Sequence, residues 1–152
     1  MNATSSRIAA CIDFSPCTST VLTEAKALAR ALNATLVLFH AVPTEEPLTS
    51  GGVAPPGTHP IPAVDIKERG RLLDDELARV RADGVQAEGF LIVDENAAEA
   101  VLDQVAQRDI KRLVVGSHGR AMVFEILVGS FTQAILRKAK VPVVVVPIPR
   151  DE

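Results

Sequence analysis

The sequence predicts an α/β domain built on a parallel five-stranded sheet with helices on both faces. Two observations predict it. Short β-branched runs alternate with stretches of helical period along the chain, the pattern of successive βα units. The runs are also apolar almost throughout, not at every second position, as strands covered on both faces are. At 152 residues the chain has the length of one domain that buries a core without staples. A single domain over 1–152 is therefore expected.

The first strand is read from Ile8 to Ile12. Ser15 and Pro16 then resemble a helix start, with Ser15 as N-cap and Pro16 at the first helical position. Leu22, Ala25, Leu28, Ala29 and Leu32 recur with helical spacing and form its core stripe. Asn33 suits a left-handed stop. Thr35 to Val42 is the second strand. Between Pro43 and Pro62 the pattern breaks, with six of the ten prolines and three of the nine glycines. A mobile surface loop is expected there.

Ile66, Leu73, Leu77 and Val80 mark a second amphipathic helix that ends near Asp83-Gly84. The third strand has its firm part at Phe90 to Val93 and begins as early as Gln86. Asn96 and Glu99 have the spacing of a capping box, followed by a stripe of Ala98, Val101, Leu102 and Val105. Arg112 to Val115 is the fourth strand. Ser130 and Gln133 are spaced as a second capping box, with Ile135, Leu136 and Ala139 on the buried side. Val141 to Val146 is the fifth strand, flanked by Pro142 and Pro147.

Composition removes several function classes. The net charge is −3 and the basic residues are scattered, against a non-specific nucleic-acid surface. Trp and Tyr are absent, which removes the usual stacking platforms for bases or a flavin. No apolar run approaches the roughly 20 residues of a membrane span. Met1 to Arg7 lacks the apolar region of a signal peptide. Cys11 and Cys17 fit neither a CxxC redox motif nor a zinc spacing, so a reduced, cytoplasmic setting is expected.

The chemistry concentrates after the fourth strand, in Gly116-Ser-His-Gly119, a nine-residue spacer, and Gly129-Ser130. Glycines let backbone approach a ligand closely. A helix start adds unpaired N–H groups and partial positive charge, which favour phosphate. Asp13 ends the first strand, and ligands of open α/β sheets sit beyond the strand ends where the winding reverses. Neither GxxxxGK[ST] nor GxGxxG is present, so P-loop and dinucleotide readings fall.

The pattern G-x2-G-x9-G-S resembles the nucleotide signature of the universal stress protein family. Asp13-Phe14-Ser15, Leu38-Phe39-His40, Glu125-Ile-Leu-Val-Gly-Ser130 and Val141-Pro-Val-Val-Val-Val146 match the family's style, in order along the whole chain. The resemblance implies a Rossmann-like sheet of order 3-2-1-4-5 that binds ATP, with Mg²⁺ or Mn²⁺ bridging phosphates. By position, Asp13 matches a contact to adenosine and Ala41 a backbone contact to adenine. Gly116, Gly119, Gly129 and Ser130 match phosphate-binding positions, and Phe131 a neighbour of the phosphates. Phe131 is bulkier than the small aliphatic usual there, and Cys11 falls where the adenine pocket is lined. The resemblance also implies a homodimer through Val141 to Val146, a strand that otherwise leaves an exposed edge.

Plainer roles stand beside these. Asp13 and Ser130 have the chemistry of turn and helix caps, and the glycines that of turn residues. His40 reads as a strand-end structural residue, and His118 and Arg120 as solvated loop residues. Function is expected to be ATP binding in stress regulation. The alternatives are a slow ATP hydrolase on the same fold, for which no base or arginine finger is evident, and a flavodoxin-like or ligand-free interaction module.

Overall fold

The computed structural model describes residues 5–43, 63–117 and 128–148. Five strands, β1 (Arg7–Cys11), β2 (Thr35–Pro43), β3 (Ala87–Asp94), β4 (Arg112–Gly116) and β5 (Val143–Val146), alternate with α1 (Thr18–Leu32), α2 (Ala63–Ala82), α3 (Ala97–Gln107) and α4 (Ser130–Lys138). The strands form one sheet of order β3-β2-β1-β4-β5, and every pairing is parallel. The expected order and parallel character are both present. The expected loop at 43–62, apart from Pro43 at the end of β2, lies outside the described residues, as do His118, Gly119 and Arg120.

Strand periodicity splits the core into two layers. Ile8, Ala10, Ile12, Leu36 and Leu38 face the stripes of α1 and α2, which supply Val21, Leu22, Ala25, Leu73, Leu77 and Val80. Ala9, Val37, Phe39, Leu113 and Val115 face α3 and α4, which supply Ala98, Val101, Val105 and Ile135. Burial on both faces explains the unbroken apolarity of β1, where Ile8, Ala9 and Ala10 are fully buried.

Several boundaries differ from the sequence reading, each for a local reason. Helix α1 begins at Thr18, not at Pro16. The Ser15 N–H donates to Asp13 Oδ1 (3.0 Å) and the Cys17 N–H to Ser15 Oγ (3.2 Å). These two side-chain turns take the backbone groups that a helix start would need, so Ser15 caps a turn and Pro16 lies within it. Helix α4 has Gly129 as its N-cap, and the Gln133 N–H donates to the Gly129 carbonyl at 2.9 Å. Ser130 is thus the first helical residue, and the Ser130–Gln133 capping box does not form. Leu136 is 46% exposed, because the buried line of α4 runs through Thr132 and Ile135 and Leu136 is rotated off it by about 100°.

Strand β5 begins at Val143, two residues later than expected. Pro142 still contributes its carbonyl to the Leu113 N–H at 3.0 Å, although proline has no N–H to give in return. At α3 the capping box does form. The Glu99 N–H donates to Asn96 Oδ1 (3.4 Å), while the carboxylate returns to the Asn96 side-chain amide (2.8 Å) instead of its backbone. Asn33 ends α1 in the left-handed region at φ 50°, as its identity suggested.

Helix α2 packs tightly on β3 at Gly89, where an added Cβ would meet Leu77 Cδ1 at 2.6 Å and Leu73 Cγ at 3.3 Å. Gly89→Ala is expected to cost roughly 1–3 kcal/mol through overpacking, read as a lower midpoint in urea unfolding. An unchanged midpoint would mean that α2 shifts to accommodate the methyl group.

Candidate functional site

Parallel strands aim their carboxyl ends in one direction, and β1 and β4 are neighbours whose connections leave toward opposite edges of the sheet. A crevice forms at such a reversal because no connection covers it. Here it is a cleft of about 570 Å³, lined by the ends of β1, β2 and β4 and by the first residues of α1, α3 and α4. Asp13, Ala41, Gly116, Gly129, Ser130 and Phe131 all line it. Of the residues matched to the nucleotide signature, only Gly119 lies outside the described residues.

The β4 side is built from a short hydrogen-bonded bracket. The Ser117 N–H donates to the Val146 carbonyl at 2.9 Å, and the Gly129 N–H donates to the Ser117 carbonyl at 2.7 Å. The Thr132 hydroxyl donates to the Gly116 carbonyl at 2.7 Å. Ser117 Oγ accepts the Ile148 N–H at 3.0 Å. Together these bonds pin the start of α4 against the end of β4. The N–H groups of Ser130, Phe131 and Thr132 have no acceptor among the described residues, as expected of a first helical turn. Gly129 has φ −68°, and Gly84 is the only described glycine with positive φ. Neither Gly116 nor Gly129 is therefore required by a left-handed turn.

The β1 side is set by an uncommon backbone. Phe14 has φ 59°, a conformation in which bulky residues are outliers. It is held there by the Asp13 turn, since Asp13 Oδ1 accepts both the Ser15 N–H and the Thr18 hydroxyl (3.3 Å). Asp13 thus does cap a turn. Its Oδ2 has no partner among the described residues, so a carboxylate oxygen remains for a ligand. Phe14 packs on His40 with ring centroids 4.3 Å apart.

At β2, the Phe39 carbonyl accepts the Ile12 N–H at 2.9 Å on the β1 side. Ala41, two residues on, directs its backbone groups the same way, past the point where β1 stops. His40 is buried, with Nδ1 2.7 Å from the Ile12 carbonyl and Nε2 2.8 Å from Arg69 Nη1. A carbonyl only accepts and a guanidinium only donates. Both ring nitrogens of His40 therefore have partners within the fold. The structural reading of His40 agrees with this. Burial pushes the Cys11 thiol up to about 12, so at neutral pH it lines the cleft as a small protonated wall and not as a nucleophile.

Sequence reasoning missed Thr132 and Arg69. Thr132 carried no signal beyond its place in a first helical turn. Arg69 did carry one, because it interrupts the apolar stripe between Ile66 and Leu73. Asn96 also lines the cleft, and only its capping role had been read.

Comparison with known proteins places this geometry. The model of the universal stress protein family matches residues 4–147. Among curated protein sequences none matches the chain. The fold is similar to a universal stress protein family structure from Burkholderia pseudomallei, at 27% identity and TM-score 0.71, covering 97% of this chain and 100% of that one. It is also similar to the universal stress protein from Archaeoglobus fulgidus solved in complex with dAMP, at 20% identity and TM-score 0.69, covering 94% and 98%. A third similar structure is a universal stress protein in complex with cAMP, at 19% identity and TM-score 0.68, covering 95% and 98%. With the family model matched over nearly its whole length, this chain belongs to the universal stress protein family.

Proposed function

We propose that the chain is an ATP-binding regulatory protein of stress response, a single nucleotide-binding domain that acts as a homodimer. The observation that carries the reading is the first turn of α4, whose Ser130, Phe131 and Thr132 amides have no acceptor among the described residues, in a cleft that also holds Asp13. Oriented backbone donors with a helix dipole behind them suit phosphate oxygens. A carboxylate and open β2 backbone groups suit the sugar and base edges. Gly116, Gly119, Gly129 and Ser130 are assigned to the phosphates, Asp13 and Ala41 to the adenosine. Phe131 contributes through its amide, for which its side-chain bulk is immaterial. The related structures solved with dAMP and cAMP support an adenine nucleotide as the ligand class.

Among the described residues no group of His, Cys, Asp and Glu is arranged to hold a metal ion. A Mg²⁺ or Mn²⁺ ion at this site would then be carried chiefly by the phosphates it bridges, as Mg²⁺ commonly is. The dimer is assigned to β5, which pairs with β4 on one side and exposes Val144 on the edge. Antiparallel pairing with a second copy would cover those groups.

Two variants test this reading. The Gly129 backbone conformation is open to any residue, so Gly129→Val should keep the fold while adding bulk beside the free amides. Calorimetry should then detect no ATP binding, with the unfolding midpoint near that of wild type. Unchanged ATP affinity would refute the site. Val144→Lys should convert the dimer to monomer in sedimentation, and an unaltered profile would refute this interface.

A further inference from the structure

Arg69 stands out by its place on α2. On a helical wheel it falls on the same side as Ile66, Leu73, Leu77 and Val80, where a core residue is otherwise found. Its neighbour on that face is not a carboxylate. None of the described carboxylates is within ion-pair distance of Arg69, and its one hydrogen-bond partner among the described residues is Nε2 of His40 at 2.8 Å. His40 is itself anchored to the Ile12 carbonyl and packed by Phe14. The guanidinium is therefore held on the cleft wall, with no carboxylate partner and no second acceptor among the described residues.

Its distance from the phosphate seat decides what it would meet. Arg69 is tied to β2, while the open turn of α4 is tied to β4, with β1 between them. Two strand spacings separate these ends by roughly 10 Å. A nucleotide whose phosphates rest on α4 and which extends across β1 brings its base, not its phosphates, to Arg69. A guanidinium is a donor-only group whose flat face also stacks on bases. That capacity matters in a chain without Trp or Tyr.

We infer that Arg69, positioned by His40, is a base-recognition residue of this cleft. It engages the purine through its planar face and its donors to ring-nitrogen acceptors. The inference rests on the nucleotide-binding reading above and deepens it. It assigns to α2 the specificity role that aromatic side chains fill elsewhere.

The test is calorimetry of AMP and ATP with the full chain as wild type, Arg69→Gln and Arg69→Lys, with thermal unfolding run on each protein. A base contact predicts that Arg69→Gln weakens both nucleotides by the same factor, about tenfold or more. Arg69→Lys, which keeps the charge but loses the plane and fork, should stay nearly as weak. Unchanged affinities in Arg69→Gln would overturn the inference while leaving the nucleotide site standing. A loss confined to ATP, or full recovery by Arg69→Lys, would overturn it in favour of a charge acting on phosphates. Wild-type protein that binds neither nucleotide would overturn the site reading itself.

Discussion

The hydrogen bond from the Gly129 N–H to the Ser117 carbonyl, 2.7 Å long, is the contact on which the candidate site depends. The chain leaves the sheet after Ser117 and must return so that the start of α4 faces the same cleft. This bond sets the return point, and the Thr132 hydroxyl on the Gly116 carbonyl fixes the helix orientation around it. Ser117 is held in turn through its own N–H and Oγ by Val146 and Ile148, at the end of β5 and just beyond it. The last strand thus supports the start of α4 as well as the sheet edge. Each of these bonds is worth about 1 kcal/mol to stability. Their greater effect is positional, because they place the first turn of α4, whose amides have no acceptor among the described residues, on the wall of the cleft.

The opposite wall is organised by the Asp13 side chain, which caps a turn with one oxygen and leaves the other without a partner among the described residues. Asp13 spends Oδ1 on two bonds that stabilise the turn holding Phe14 at φ 59°. That turn delays α1 by two residues relative to a direct start at Pro16, and it packs Phe14 on His40. His40 then passes the constraint to Arg69. A chain of contacts therefore runs from the end of β1 to the face of α2, and every link lies within or beside the cleft. The two walls meet across the β1–β4 switch point, and the residues of α1 share a core cluster with Val146 and Ile148.

Much of this was legible in the sequence. Parallel sheet, strand succession and helix stripes followed from apolar runs and their periods, because burial on two faces leaves a direct imprint on composition. Asn33 and Asn96 announced their caps through local chemistry. The errors fell where tertiary contacts override local preference. Ser15 and Ser130 both resemble N-caps, yet Ser15 is claimed by the Asp13 turn and Ser130 is displaced by the bond that fixes Gly129. Leu136 looked buried because neighbouring positions on a helix differ by a rotation that a short window does not resolve. Thr132 gave no signal, since its partner is a carbonyl sixteen residues earlier in sequence. The candidate residues Asp13, Ala41, Gly116, Gly129, Ser130 and Phe131 line one cleft; spacing and strand position grouped the glycines, Ser130 and Asp13, and the family resemblance added Ala41 and Phe131.

The most direct measurement of the central claim is a titration of ¹⁵N-labelled protein with ATP, followed by amide resonances. Binding in the β1–β4 cleft predicts that the Ser130, Phe131 and Thr132 amides shift most, with Gly116, Asp13 and Ala41 following at the same saturation point. No shifts at millimolar ATP, or shifts confined to residues away from the strand ends, would contradict it.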